Sequence, residues 1–431
     1  MQDAATELKP IALDDARPWY AEVTRYQWLV LVIASAGWVF DAMEGQIYGV
    51  TFPDMLRDIV GPDVSQQKFW GEVLKAAFLF GSALGGVAFG NLADRFGRKP
   101  AMTVSILFYS LFSGLTYFAT NVWHVAILRF LVALGVGGEW AVAAALVAEV
   151  FPPRARARAS GIFHGTSVAG IWLAAAAGYL VGSNWRYAYL IGVIPALLVL
   201  WVRMSIKEPE RWERAAEGAP KNLGSFRDLF GTPVWRRRAI FGLLLAAVGL
   251  ATFWAVVVAG QQLVESVLLR TGHPARQSSD WAKLSYGFIQ VLGTAVCFFS
   301  FGPVAERIGR RATFLILHLG AAAIVPITCY LPQTFPQMLL VLPVFGFFTG
   351  GLHAGYAIYF PELFPNHLRA TGAGICFNGG RLLAAPMLFL SGSIKSSMDL
   401  RLALTMLAGL YLLGVVMLLF LPETKGKPLP E

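Results

Sequence analysis

Apolar residues run in long blocks along this chain, and short polar stretches separate them. Blocks of about 20 apolar residues are what a helix needs to cross a bilayer. Twelve such blocks are visible, near residues 27–50, 70–92, 100–120, 123–151, 158–182, 185–206, 237–262, 281–303, 311–331, 336–360, 370–392 and 400–421. The pattern predicts an all-α membrane protein with twelve transmembrane helices. Short connections near 120 and 332–336 predict helical hairpins there. The longest polar stretch, from Lys207 to about Arg236, divides the spans six and six. The expected organisation is therefore a first half over 1–206, a linker over 207–236 and a second half over 237–431. Within the linker, EPERWERAAE reads as a short helix in an otherwise solvated segment.

Composition agrees with this reading. Of the 431 residues, 56% are hydrophobic and 14% charged, with a mean hydropathy of +0.58, far too apolar for a soluble domain. The net charge of +9 would suit a nucleic-acid binder, but its distribution argues for topology instead. With a cytoplasmic N-terminus, the inner tails and loops hold 23 of the 35 basic residues. That bias places both termini in the cytoplasm of a cell-membrane protein. The N-terminal stretch is polar and shows no signal peptide or lipidation pattern. Cys297, Cys329 and Cys376 show no metal or disulfide spacing, and no cofactor is expected.

The two halves repeat each other. GNLADRFGRK (90–99) aligns with GPVAERIGRR (302–311), and GGEWAVAAALVAEVFPPRAR (137–156) aligns with GGLHAGYAIYFPELFPNHLR (350–369). Internal duplication of this kind is a mark of transporters. Gly90, Asp94, Arg95, Gly97, Arg98 and Lys99 match the loop motif Gly-x-x-x-Asp-Arg-x-Gly-Arg-Lys/Arg. On that match, and with twelve spans in two halves, the chain resembles the major facilitator superfamily. AEVFPPRAR, PELFPNHLR and LPETKGKPLPE resemble its sugar-porter and organic-ion branches. DAME in the first span resembles the Asp-x-x-Asp/Glu of proton-coupled aromatic-acid and lactate permeases, with Ala42 where those permeases usually have Gly. GICFNGGRLLAAP resembles the eleventh-span Arg segment of organic anion transporters. The second loop copy has Glu306 in place of Asp.

Charge inside the spans is costly, so acids and bases there are candidates for function. Asp41 and Glu44 lie three residues apart on one helical face, with Tyr48 extending the stripe. A carboxyl so placed can take up and release protons, so both are candidate coupling residues. Arg381, near the centre of the eleventh span, can hold a substrate carboxylate through two parallel hydrogen bonds. Asn378, one turn away, could add another, and an internal ion pair with Asp41 or Glu44 is the competing reading. Arg129 resembles the fourth-span Arg of proton-coupled members. It and Glu139 are candidates for the coupling network, or for a plain Arg–Glu pair. His164, His318 and His353 could relay protons, His353 most of all because its repeat partner is Trp140. Asp94, Arg98, Glu149, Glu306, Arg310, Glu362 and Arg369 mark the inner ends of the spans. Opposite charges there can close and release a gate.

These features favour a proton-coupled symporter of a small organic anion, a monocarboxylate such as lactate or an aromatic acid. It would work by alternating access, with the bilayer, the proton and the anion as its partners, and function as a monomer. A sugar or polyol symporter and a proton-driven drug exporter are the alternatives. No nucleophile–base pair, metal cluster or phosphate loop suggests an enzyme.

Overall fold

The computed structural model describes residues 18–182, 184–218 and 222–431. The polar N-terminal stretch over 1–17 and part of the linker lie outside the described residues. Helices cover every apolar block. The first four spans are Arg25–Val60, Val64–Phe96, Arg98–Thr116 and Val122–Val150. The fifth is Pro153–Val181, and the sixth is split into Trp185–Ile191 and Ala196–Ser205 around Pro195. The second set comprises Pro233–Arg270, Ala275–Ile308, Arg310–Tyr330, Phe335–Leu363, Arg369–Ser397 and Leu400–Leu418. Among the described residues, nine helices are long and apolar enough to cross a membrane; the third, sixth and eleventh spans are shorter, split or more polar.

Local sequence explains where the helices begin. Thr24 and Gln27 form a capping box at the start of the first span, with Gln27 N–H donating to Thr24 at 3.2 Å. Asp63 accepts from Ser65 N–H at 2.8 Å, and Asn121 accepts from His124 N–H at 2.9 Å. These satisfy N–H groups that have no partner within the helix. The first span runs on through Pro53 to Val60, nearly three turns beyond its apolar block at roughly 3.6 residues per turn. The seventh and eighth spans each contain a π-helical segment, Phe253–Val257 and Ser285–Gln290. Hydropathy alone cannot reveal either.

The second and third spans meet at Gly97 (φ 106°), and the eighth and ninth meet at Gly309 (φ 101°). Only glycine adopts that backbone cheaply. Each junction is completed from afar. Glu208, just after the sixth span, accepts from the Arg98 and Lys99 N–H groups at 2.8 and 2.9 Å. Glu423, just after the twelfth, accepts from the Arg310 and Arg311 N–H groups at 3.0 Å each. Two glutamates at repeat-equivalent places thus cap two repeat-equivalent helices. The sequence reading had assigned neither a role.

Within the first half, a Cβ at Gly85 or Gly137 would strike the backbone of Leu134 or Ser82. The second and fourth spans therefore touch through bare backbone, as small-residue spacing predicts. The linker is less solvated than expected. Its helix Glu210–Gly218 is docked by the Trp212 indole, which donates to the Asp94 carbonyl at 2.7 Å. A second helix, Phe226–Gly231, is held by Asp228 and His367 at 2.7 Å.

Candidate functional site

Two buried polar groups lie inside the bundle, and an ionic lattice closes the face that carries the loop motifs. The first group is central. Asp41, in the first span, and Glu139, in the fourth, are 1% exposed each. They are close enough to interact, and Asp41 also feels the charge of Arg381 from the eleventh span. Glu139 packs directly against Gly37, one turn before Asp41. Among the described residues no donor group reaches either carboxyl; the two face each other within hydrogen-bond reach once one is protonated, and Nη1 of Arg381 has no acceptor. So the internal pair considered for Arg381 is not closed by a hydrogen bond, and its fork keeps donor capacity. Its guanidinium lies 5.1 Å from the Phe377 ring, a cation–π arrangement.

Aromatic rings surround this group. Trp140 stacks on Phe377 across the two halves, with centroids 4.0 Å apart and planes at 27°. The Trp140 indole donates to Nδ1 of His164 at 3.4 Å. That bond fixes the imidazole as an acceptor at Nδ1 in the neutral ring. His353 holds the Gly350 carbonyl at 3.1 Å through Nδ1 and packs on Phe253 and Tyr356. It lies near Arg381, and its repeat-equivalent residue is Trp140. Asn378 is fully buried and donates to the Gly137 carbonyl at 3.1 Å. It joins the halves, and its side-chain oxygen has no hydrogen-bond partner among the described residues.

The second group lies wholly within the first half and corrects the idea of one acidic stripe. Glu44 turns away from Asp41 and accepts from Ser113 Oγ at 2.9 Å. Arg129 sits over Tyr48 and Phe78, at 4.4 and 4.0 Å from the ring centroids. It donates to the Gly45 carbonyl at 3.3 Å. Tyr48 donates to the Gly71 carbonyl at 3.3 Å. Residues 41 and 44 differ by about 300° of helical rotation, that is 60°, which at this depth is enough to send them to different neighbours. Tyr48, at the end of the stripe, therefore lies with Glu44 and Arg129 in the first half, and Arg381 lies with Asp41. Arg129 likewise serves Glu44 and does not pair with Glu139. His318 donates from Nδ1 to the Phe314 carbonyl at 2.7 Å and packs against Gly414, a packing role.

At the loop-motif face the expected gating residues converge. Arg98 binds Asp94 at 2.8 Å and Glu149 at 2.6 Å, with all three side chains buried. Glu149 also binds Arg369 of the second half at 3.0 Å. Asp94 accepts from the N–H groups of Ala370 and Thr371 at 3.1 and 2.8 Å, capping the eleventh span from the other half. In the second copy, Arg310 binds Glu362 at 2.8 Å and Glu306 crosses to Arg158 of the fifth span at 2.7 Å. Even the backbone contacts repeat: Arg369 donates to Pro361 O at 3.1 Å, and Arg156 to Ala148 O at 2.8 Å. The copies differ in two places: Asp94 pairs with Arg98 of its own motif where Glu306 pairs with Arg158, and the later acids have different partners. Glu149 serves two arginines, whereas Glu362 gives its second oxygen to Thr424 at 2.5 Å.

Comparison with known proteins agrees with this geometry. The family model for the Major Facilitator Superfamily matches residues 31–272 and 274–431. The niacin transporter of Acinetobacter baylyi is 28% identical over 94% of this chain and 96% of its own. The cis,cis-muconate transport protein of the same organism is 27% identical over 81% of this chain and 84% of its own. Among solved structures, the proton:xylose symporter XylE superimposes with a TM-score of 0.76 at 18% identity, covering 94% of this chain and 98% of that one. At that identity the likeness concerns the fold. The chain belongs to the Major Facilitator Superfamily: it is a multi-pass membrane transporter, not an enzyme.

Proposed function

We propose that this transporter is a proton-coupled symporter of a small organic anion, with a ring-bearing carboxylate as the favoured substrate. The observation that carries the reading is Arg381, whose guanidinium lies over Phe377 beside the Trp140 stack and keeps an unpartnered donor. A carboxylate matches the guanidinium fork, and an aromatic body matches the flat rings. The relatives named above are named for niacin, a ring-bearing carboxylic acid, and for muconate, an open-chain dicarboxylate, which supports an organic acid as the substrate class. Asp41 and Glu139 supply the proton site. Loading a proton there offsets the charge that the substrate brings, so anion and proton travel together.

Transport proceeds by alternating access, with the two halves rocking about this central group. The loop-motif face is cytoplasmic, on the Lys/Arg bias, in a cell-membrane protein that works as a monomer. The ionic lattice at that face is its inner gate. The test is uptake into proteoliposomes with an imposed pH gradient, alkaline inside. Labelled nicotinate and cis,cis-muconate should accumulate and be released by a protonophore. Glucose uptake with no accumulation of any carboxylate, lactate included, would overturn the reading in favour of a sugar symporter.

A further inference from the structure

A cleft of 460 Å³ opens at the loop-motif face, away from the central group. Four distant parts of the chain form it. Pro18 and Trp19 come from the segment before the first span, and Pro153, Arg154 and Arg158 from the start of the fifth. Glu306, Arg307 and Arg310 come from the junction of the eighth and ninth, and Lys425 from the tail after the twelfth. Its lining thus carries five cationic side chains and a single carboxylate.

That carboxylate is already committed, because Glu306 binds Arg158 at 2.7 Å. Arg310 is likewise committed to Glu362. Of the other three cations, Lys425 and Arg307 are linked by a bond from Lys425 Nζ to the Arg307 backbone carbonyl at 2.6 Å, which fixes the ammonium of the tail against the eighth span. The fifth helix also starts here without a side-chain cap, adding the positive end of its dipole. Such a concentration of positive charge in a concave site calls for an anion with several acceptor oxygens.

The surroundings indicate where the anion comes from. Val304 and Ile308, flanking Arg307 on the eighth span, are 38% and 45% exposed, so the apolar lipid-facing surface ends at this level. Tyr20, Trp19 and Trp28 cluster at the rim, with ring centroids 5.8 Å apart along the series. Aromatic rings of this kind belong at the headgroup level, and basic pockets between spans suit anionic headgroups.

We propose that this cleft is a phosphate site, occupied by the headgroup of an anionic phospholipid. Its walls come from both halves, so an occupant binds best when this face is closed and favours that state.

The test uses the full-length protein and the double variant Arg307→Gln/Lys425→Gln, neither residue being part of the gate or the central group. Native mass spectrometry after mixing with phosphatidylglycerol should show lipid retained by the wild type and retention reduced about tenfold in the variant. Thermal melting in detergent with inorganic phosphate forms the second arm. Protection of the wild type alone by phosphate, with no difference in lipid retention, would keep the site but assign it to a soluble anion. Equal lipid retention and equal melting of both proteins in both arms overturns the proposal. Uptake by the variant in phosphatidylcholine vesicles reports that it folds.

Discussion

At the scale of single residues, the two acids of the first span have parted company. Asp41 faces Glu139 and Arg381, while Glu44 is bonded to Ser113 and lies near Arg129. Asp41→Asn should abolish gradient-driven accumulation while leaving substrate exchange between equal pools, as counterflow assays would show. Full accumulation by that variant would move the proton site to another group. Arg381→Lys keeps the charge but loses the planar fork, so the KM for nicotinate should rise at least about tenfold, the worth of roughly 1.4 kcal/mol. An unchanged KM would remove Arg381 from the substrate site. Glu44→Gln should leave the KM unchanged, because Glu44 has no route to Arg381. The presence of costly charges was legible in the sequence, since each stands out in an apolar block. Their partition was not. It depends on which neighbouring spans pack against each side of the first helix, and the stripe containing Tyr48 gave no hint that Arg129 would cover it.

At the scale of elements, helix starts were readable wherever the cap lies next to the helix, as at Thr24, Asp63 and Asn121. They were hidden where the cap is borrowed, as with Glu208 and Glu423. Their repeat-equivalent places after the sixth and twelfth spans were the one available signal. The two caps differ electrostatically. Burial pushes the Glu208 carboxyl above its usual range, against the pull of two backbone N–H groups. Burial also acts on Glu423, but four backbone N–H bonds outweigh it and hold that carboxyl below its usual range. A lowered carboxyl stabilises the fold above its unfolded pKa, and that contribution is lost as pH falls through the folded value. Hence Glu423→Gln should lower the melting temperature at pH 7, an N-cap being worth about 1 kcal/mol, and the deficit should shrink as pH falls below the ordinary glutamate range of about 4.3. Glu208→Gln should cost less at pH 7, because its ionised form is the disfavoured one. Equal deficits at every pH would refute this account. Asp228 follows the Glu423 pattern: burial raises it, but bonds from His367 and Thr232 prevail and its pKa is lowered. The linker helices were only half legible, because Trp212 looks like an exposed aromatic until its indole is seen on Asp94.

At the scale of the whole molecule, the halves meet along two equivalent seams. A Cβ at Gly90 would press on the Ala370 carbonyl, and one at Gly302 on the Ala157 carbonyl, each at 2.6 Å. The duplicated motifs announced this symmetry, since Gly90 and Gly302 lie one repeat apart, as do their contacts Ala157 and Ala370. Gly90→Leu should wedge one seam and hold the loop-motif face open. The readout is greater labelling of a cysteine introduced at Asn366, with uptake lost. Labelling equal to that of the parent would show that the seam tolerates the side chain.

The single carboxylate of Glu149, shared by Arg98 and Arg369, has a further consequence. These ions are buried, and parting the halves exposes them to solvent together, because Arg369 must leave Glu149 while Arg98 and Asp94 stay behind with it. Opening is thus a hydration event as much as a mechanical one, and its rate is tied to the thermodynamic activity of water. Osmolytes too large to enter the crevice should slow turnover in proportion to osmotic pressure, whichever acid is carried.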